Sequence, residues 1–152
     1  MTRPSDPAAG FTLLELLVVL TLLALLAAAL PRLLPRTEGA ELEARARAVA
    51  GLLERSRASA ITTARAVDVL IDVEAHRLAS TADAAGEAIP DWVELEATTA
   101  RELVERPGLA VIRFFADGSA TGGRIELRWQ ARRFSIDVAW LTGAVRLAEA
   151  GP

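Results

Sequence analysis

The sequence predicts an α+β fold: a long amino-terminal helix packed on a carboxy-terminal antiparallel β-sheet domain. Three observations carry this. Residues 11–30 form one nearly unbroken apolar run, small and apolar residues then recur at steps of three and four as far as Ala60, and beyond Thr63 the apolar period becomes two. The chain has 152 residues, enough for one domain and an appendage.

Composition removes most catalytic chemistry. All 17 basic residues are arginine, so a phosphate-cradling P-loop lysine, Schiff-base chemistry and lysine general bases are excluded. Cysteine is absent as well, which excludes thiol nucleophiles, disulfides, iron–sulfur clusters and cysteine-ligated zinc. The single histidine, His76, leaves one candidate imidazole base and no His-rich metal site. With 20 acids the formal charge is −3.

The first element runs from Phe11 to Leu30, FTLLELLVVLTLLALLAAAL, interrupted only by Thr12, Glu15 and Thr21. As a helix it is about 30 Å long, the thickness of a bilayer core. A secretory signal peptide competes with a transmembrane helix here, because Ala27, Ala28 and Ala29 offer a small-residue cleavage site. Glu15 speaks against it. A carboxylate in a membrane helix costs roughly 2.5 to 3.5 kcal/mol near the centre and less near an end, so it needs a partner or a route to the interface.

The run Gly10-Phe11-Thr12-Leu13-Leu14-Glu15, followed by an apolar helix, resembles the type IV prepilin motif. In that family a short leader stays in the cytoplasm, a membrane aspartyl peptidase cuts after the glycine, and the new amino terminus is N-methylated. The resemblance implies that residues 1–10 are the leader, that cleavage falls between Gly10 and Phe11, that Phe11 becomes methylated, and that Glu15 is the acid used in assembly. Its carboxylate would pair with the amino terminus of a neighbouring subunit, which offsets its desolvation and sets the axial stagger. The leader departs from the pattern in charge: Arg3 is opposed by Asp6, while Arg32 and Arg36 follow the helix. Counting loop charges favours the reverse orientation, and the motif is the more specific signal.

Pro31 and Pro35 predict a kink or break after the membrane helix. From Glu38 to Ala64 a second helix follows, with Leu42, Ala46, Val49, Leu53, Ser56 and Ala60 on one stripe and Glu41, Glu43, Arg45, Arg47, Glu54, Arg55 and Arg57 off it. The interspersed acids make the arginines part of a solvated ion-pair face. The resemblance and the periodicity together imply a leader (1–10), a transmembrane helix (11–30), a kink and amphipathic helix (31–64) and a periplasmic β-rich head (65–152).

In the head, Val67, Val69, Ile71 and Val73 alternate with more polar positions as a strand, Glu74 to Arg77 turn, and Leu78 to Ser80 continue as a short strand. Residues 81–91 read as a loop, Trp92 to Glu96 as a strand, and Thr99 with Glu102 as the capping box of a short helix ended by Pro107 and Gly108. Val111–Phe115, Arg124–Trp129, Arg133–Trp140 and Ala144–Leu147 are four further strands with short connections, hence a meander packed on the amphipathic helix. On the third of these, Phe134, Ile136, Val138 and Trp140 share one face.

Two stretches in this half narrow the family. Arg113 to Gly123, RFFADGSATGG, and Asp137 to Val145, DVAWLTGAV, resemble the H-type minor pseudopilins of type II secretion (GspH-like). The FimT-like minor pilins share this domain. The resemblance implies a minor pseudopilin, a non-enzymatic structural subunit of the type II secretion pseudopilus that helps drive export of folded periplasmic proteins. It further implies an inner-membrane protein with one span and a periplasmic head. Its partners would be other minor and major pseudopilins, the prepilin peptidase, the inner-membrane assembly platform and secreted cargo, with no cofactor, no metal and no nucleic acid.

Each chemical constellation has a simpler explanation. Asp117-Gly118-Ser119 is a hairpin turn rather than a calcium loop, since the ladder of alternating acids is missing. Gly118, Gly122 and Gly123 precede a strand, not the helix that a phosphate cradle needs. His76 and Ser119 lack any nucleophile-elbow context, and Trp92, Trp129 and Trp140 read as core or interface anchors. The main alternative is a FimT-like pilus subunit that binds DNA for uptake. Six arginines against three acids between Arg113 and Arg146 support it, with Arg128, Arg132 and Arg133 as the contacts. Glu126 and Asp137 interleave with them, so a mixed-charge sheet surface is the simpler account. A membrane-anchored hydrolase lacks any assembled active site.

Overall fold

A computed structural model describes the backbone over residues 13–33, 38–99 and 108–150, and the side chains of all of these but 27–33 and 84–85. It divides into two compact units, residues 1–36 and residues 37–152. The leader, Gly10 and Phe11 lie outside the described residues.

The first unit holds helix α1, Leu13–Leu33. Its side chains are described from Leu13 to Leu26, and every one is exposed. Thr21 satisfies itself: its Oγ1 donates to the Leu17 carbonyl at 2.7 Å, which hides the hydroxyl in the helix backbone. Among the described residues no helix is long and apolar enough to cross a membrane. The span expected at residues 11–30 extends past the described side chains at both ends. Helix α1 continues past Pro31 to Leu33, and the stretch 34–37 that holds Pro35, before α2, lies outside the described residues.

The second unit is built on helix α2, Glu38–Thr63. Every residue of the expected stripe is buried, joined by Ala50 and Leu52. Burial of each large aliphatic side chain stabilises the domain by roughly 1.5 to 3 kcal/mol. Acids Glu38 and Glu41 occupy the first turn, where they complement the helix dipole. At the other end Ala64 takes the left-handed conformation (φ 50°), and the Arg65 amide bonds back to the Ala60 carbonyl at 3.2 Å, closing the helix.

Eight strands follow: β1 Val67–Asp72, β2 Arg77–Ser80, β3 Asp83–Ala88, β4 Glu94–Thr99, β5 Leu109–Phe114, β6 Gly123–Trp129, β7 Arg132–Val138 and β8 Val145–Ala150. They form two antiparallel four-stranded sheets, ordered β3-β2-β1-β5 and β4-β6-β7-β8. Phe114, Leu42, Leu52, Leu53, Ile71, Leu78, Ile112, Ile125, Leu127 and Ile136 are fully buried in one core.

This corrects three expectations. The carboxy-terminal strands are not one meander, because β5 pairs with β1, Asp68 opposite Arg113. Between β5 and β6 the chain turns twice, through Gly118 (φ 85°) and Gly122 (φ 76°), and so leaves the first sheet for the second. Residues 83–88 are a strand, although DAAGEA has no apolar alternation. Pairing with β2 recruits it, and a Cβ at Gly86 would lie 2.5 Å from the Leu78 carbonyl oxygen, so only glycine permits that approach. Thr99 ends β4, and the short helix expected after it, over residues 100–107, lies outside the described residues. Trp140 lies past the end of β7, exposed, while Phe134, Ile136 and Val138 share the buried face as expected.

Candidate functional site

Of the residues singled out for assembly, Glu15 stands in the first turn of α1, exposed among exposed leucines. The amino end of a helix favours an anion.

The three arginines of the DNA-binding alternative are each engaged by carboxylates. Arg128 reaches Glu94 (3.4 Å), Glu96 (3.7 Å) and Glu126 (3.9 Å), and Arg133 reaches Glu126 (4.0 Å). Strand alternation puts these residues on the sheet face opposite Leu95, Ile125, Leu127 and Phe134, so acids and arginines interleave on one surface. Arg124 and Asp137, paired at 2.6 Å, extend it. The Asp137 hydrogen bond raises the Arg124 guanidinium above its ordinary pKa.

Arg132 does a different task. It donates from Nη1 to the Gly39 carbonyl (2.7 Å) and from Nε to Glu149 (2.8 Å), and its guanidinium lies 5.1 Å from the Phe134 ring centre. It clasps the start of α2 to β7 and β8. Trp129 works beside it, donating its indole N–H to Glu38 (3.1 Å) and packing edge-on against Trp92 with centroids 5.1 Å apart. A second clasp joins β1 to β5, where Arg113 makes bonds of 2.6 and 2.7 Å to the two oxygens of Asp68. That bond likewise raises the Arg113 guanidinium.

The Asp117 region is a turn. Asp117 Oδ1 accepts from the Ser119 amide (3.0 Å) and hydroxyl (2.6 Å), and these bonds hold its carboxyl below the usual range. His76 also sits in a turn, with φ 48°, and its carbonyl accepts from the Ile89 amide at 2.8 Å. Among the described residues no group of His, Asp and Glu could hold a metal ion.

Sequence reasoning missed one feature. At the carboxy end of α2 the turns 115–119 and 139–143 meet, leaving Trp140 (68 %), Leu141 (66 %), Ile61 (45 %) and Phe115 (39 %) exposed. The available signal was an adjacent Trp-Leu pair directly before the Thr142-Gly143 turn. The regular alternation of β7 hid it by extending the buried face one step too far.

Comparison with known proteins places this architecture. Residues 7–31, which include Gly10, Phe11 and Glu15, match the family model described as the prokaryotic N-terminal methylation motif. The fold is similar to the type IV minor pilin FimU of Pseudomonas aeruginosa (TM-score 0.54, 16 % identity, 78 % of this chain and 97 % of that one). It is equally similar to the minor pseudopilin EpsH from the type 2 secretion system of Vibrio cholerae (TM-score 0.54, 16 % identity, 71 % and 96 %). In sequence the chain is 39 % identical over 140 residues to the type II secretion system protein H of Xanthomonas campestris pv. campestris, covering 90 % of this chain and 81 % of that protein. Identity of that extent, carried on a pilin-like fold, means that this chain belongs to the type II secretion system protein H family.

Proposed function

We propose that this chain is a minor pseudopilin, a non-enzymatic structural subunit of the type II secretion pseudopilus that helps drive export of folded periplasmic proteins. The observation that carries the reading is the 39 % identity to a type II secretion protein H across nine-tenths of the chain, joined to an amino-terminal methylation motif. The engagement of Arg128, Arg132 and Arg133 by glutamates supports the protein-binding reading over a DNA-uptake pilin, because phosphate binding needs arginines whose charge is not already met.

In this reading residues 1–10 are a leader removed by the prepilin peptidase and Phe11 is the methylated first residue. Residues 11–30 anchor the subunit in the inner membrane, and the β-rich domain stands in the periplasm with other pseudopilins, the assembly platform and cargo as partners. Glu15 pairs in the filament with a neighbour's terminal amine.

Intact mass of the membrane-extracted protein tests the processing: residues 1–10 are lost and one methyl group is gained. Cleavage after Ala29 instead, leaving a released periplasmic product, refutes it. Glu15→Leu inserts normally, since it removes a polar cost in the membrane, but does not join filaments; normal co-assembly of this variant refutes the role given to Glu15.

A further inference from the structure

We propose that the apolar tip formed by Ile61, Phe115, Trp140 and Leu141, with Arg57 at its edge, docks a neighbouring pilin-like subunit that presents an apolar pocket flanked by a carboxylate. This rests on the pseudopilin reading and names the surface through which the head binds.

The four side chains form one patch because three segments converge there. The Ala120 amide donates to the Trp140 carbonyl at 2.8 Å, and the Gly118 amide to the Phe115 carbonyl at 2.9 Å. A Cβ at Gly118 would lie 3.2 Å from Ile61 Cδ1, and one at Gly143 would lie 2.2 Å from the Gly118 carbonyl oxygen. The two turns therefore touch each other and the last turns of α2. Glycine at 118 and 143, both with positive φ, makes this approach sterically open.

Such exposure is unusual in this domain. Elsewhere in it the described large apolar side chains are buried or partly so, and these four are its exposed ones. Their fractional exposures correspond to apolar surface on the order of 400 Å², the size of a functional patch on a monomer. That is about half of what one partner contributes to a standard interface of roughly 800 Å² a side, an apolar centre that a polar rim completes.

Charge selects the occupant. Arg57 Nε donates to the Gly118 carbonyl at 3.0 Å, which fixes the guanidinium at the patch, yet Arg57 forms no ion pair among the described residues. The acid in the adjoining turn, Asp117, is engaged by Ser119. Arg57 is therefore free to meet a carboxylate of the partner that covers the patch. Tryptophan and arginine at one apolar centre are also the residue types that dominate protein-binding hot spots.

The test uses the full-length chain in cells carrying its complete secretion system. A benzophenone amino acid at position 141, with an exposed control at Glu54 on α2, is photo-activated and the adducts are identified by mass spectrometry. The expected result is an adduct with another pilin-like subunit from position 141 and none from position 54. The double change Trp140→Ser with Leu141→Ser lowers secretion at least tenfold while membrane level and processing stay normal. With the probe moved to position 115 the same change removes the adduct. Arg57→Gln keeps a donor for Gly118 and lowers adduct yield several-fold. An adduct with lipid, secreted cargo or a second copy of the chain overturns the proposal, as does no adduct or normal secretion by the double variant. Deletion of the whole chain separates the two readings. If deletion leaves secretion intact the pseudopilin reading falls, and if deletion abolishes secretion while the double variant secretes normally only the docking surface falls.

Discussion

Replacing Arg132 by alanine is expected to lower the stability of the β-rich domain by about 2 kcal/mol. The side chain makes three close contacts beside a looser ion pair with Glu43 (3.7 Å). Its bond to the Gly39 carbonyl (2.7 Å) is charge-assisted, a class that contributes roughly 1.5 to 3 kcal/mol. Its pair with Glu149 (2.7 Å) is half-exposed, at 36 % and 50 % of the two side chains, and solvent screening holds such a pair to roughly 0.2 to 1 kcal/mol. Its position over Phe134 adds about 0.5 to 1 kcal/mol. The contacts share one guanidinium and do not add in full, and water replaces part of each, so the sum is reduced to about 2 kcal/mol. For a domain of this size that is a fall in Tm of roughly 10 °C. Urea and thermal unfolding of residues 37–152, followed by circular dichroism, measure it. Arg132→Lys recovers part of the loss, since a lysine cannot make the forked contact to Gly39 and Glu149 together. A loss under about 0.5 kcal/mol refutes the clasp. In the same preparations a salt titration of fluorescent duplex is expected to detect no binding near physiological salt. Tight, salt-sensitive binding that disappears when Arg128, Arg132 and Arg133 are replaced would restore the DNA-uptake alternative.

Gly143→Ala places a methyl group 2.2 Å from the Gly118 carbonyl oxygen at a residue with φ 61°. The strain and the displaced turn cost about 2 to 4 kcal/mol, read by urea unfolding, and tryptophan fluorescence reports the movement of Trp140; an unchanged midpoint refutes the close approach. Asp117 has its folded pKa depressed by the Ser119 hydroxyl and amide. The stability it contributes is therefore fully present above the ordinary carboxylate range and is lost as the pH falls through the depressed value. Ser119→Ala should raise the Asp117 midpoint in a carboxyl NMR titration, and an unmoved midpoint shows that the hydroxyl is not its cause.

The candidate site was legible in the sequence where its signal is local and chemical. Glycine before phenylalanine, an acid five positions beyond that glycine and a bilayer-length apolar run are adjacent in the chain, so no folding is needed to find them. The arginine cluster was legible as a mixed-charge surface through Glu126 and Asp137, which interleave with it, but its other acids were not. Glu94 and Glu96 stand more than thirty residues before Arg128, and Glu43 about ninety before Arg132, so a local charge count reads as a basic patch until strand pairing brings the acids alongside.

By itself the sequence determined the helix-then-sheet order, the buried stripe of α2 and most strands, because periodicity records which face each element buries. It determined the family motifs for the same reason of locality. The tertiary structure alone decided that the strands divide into two sheets, that DAAGEA becomes a strand on β2, and that Trp140 stands outside the core. Those outcomes depend on pairing between segments far apart in the chain and on where two glycine turns point it. A Trp140 that continues the alternation of β7 looks identical, in sequence, to one that the end of the strand releases into solvent.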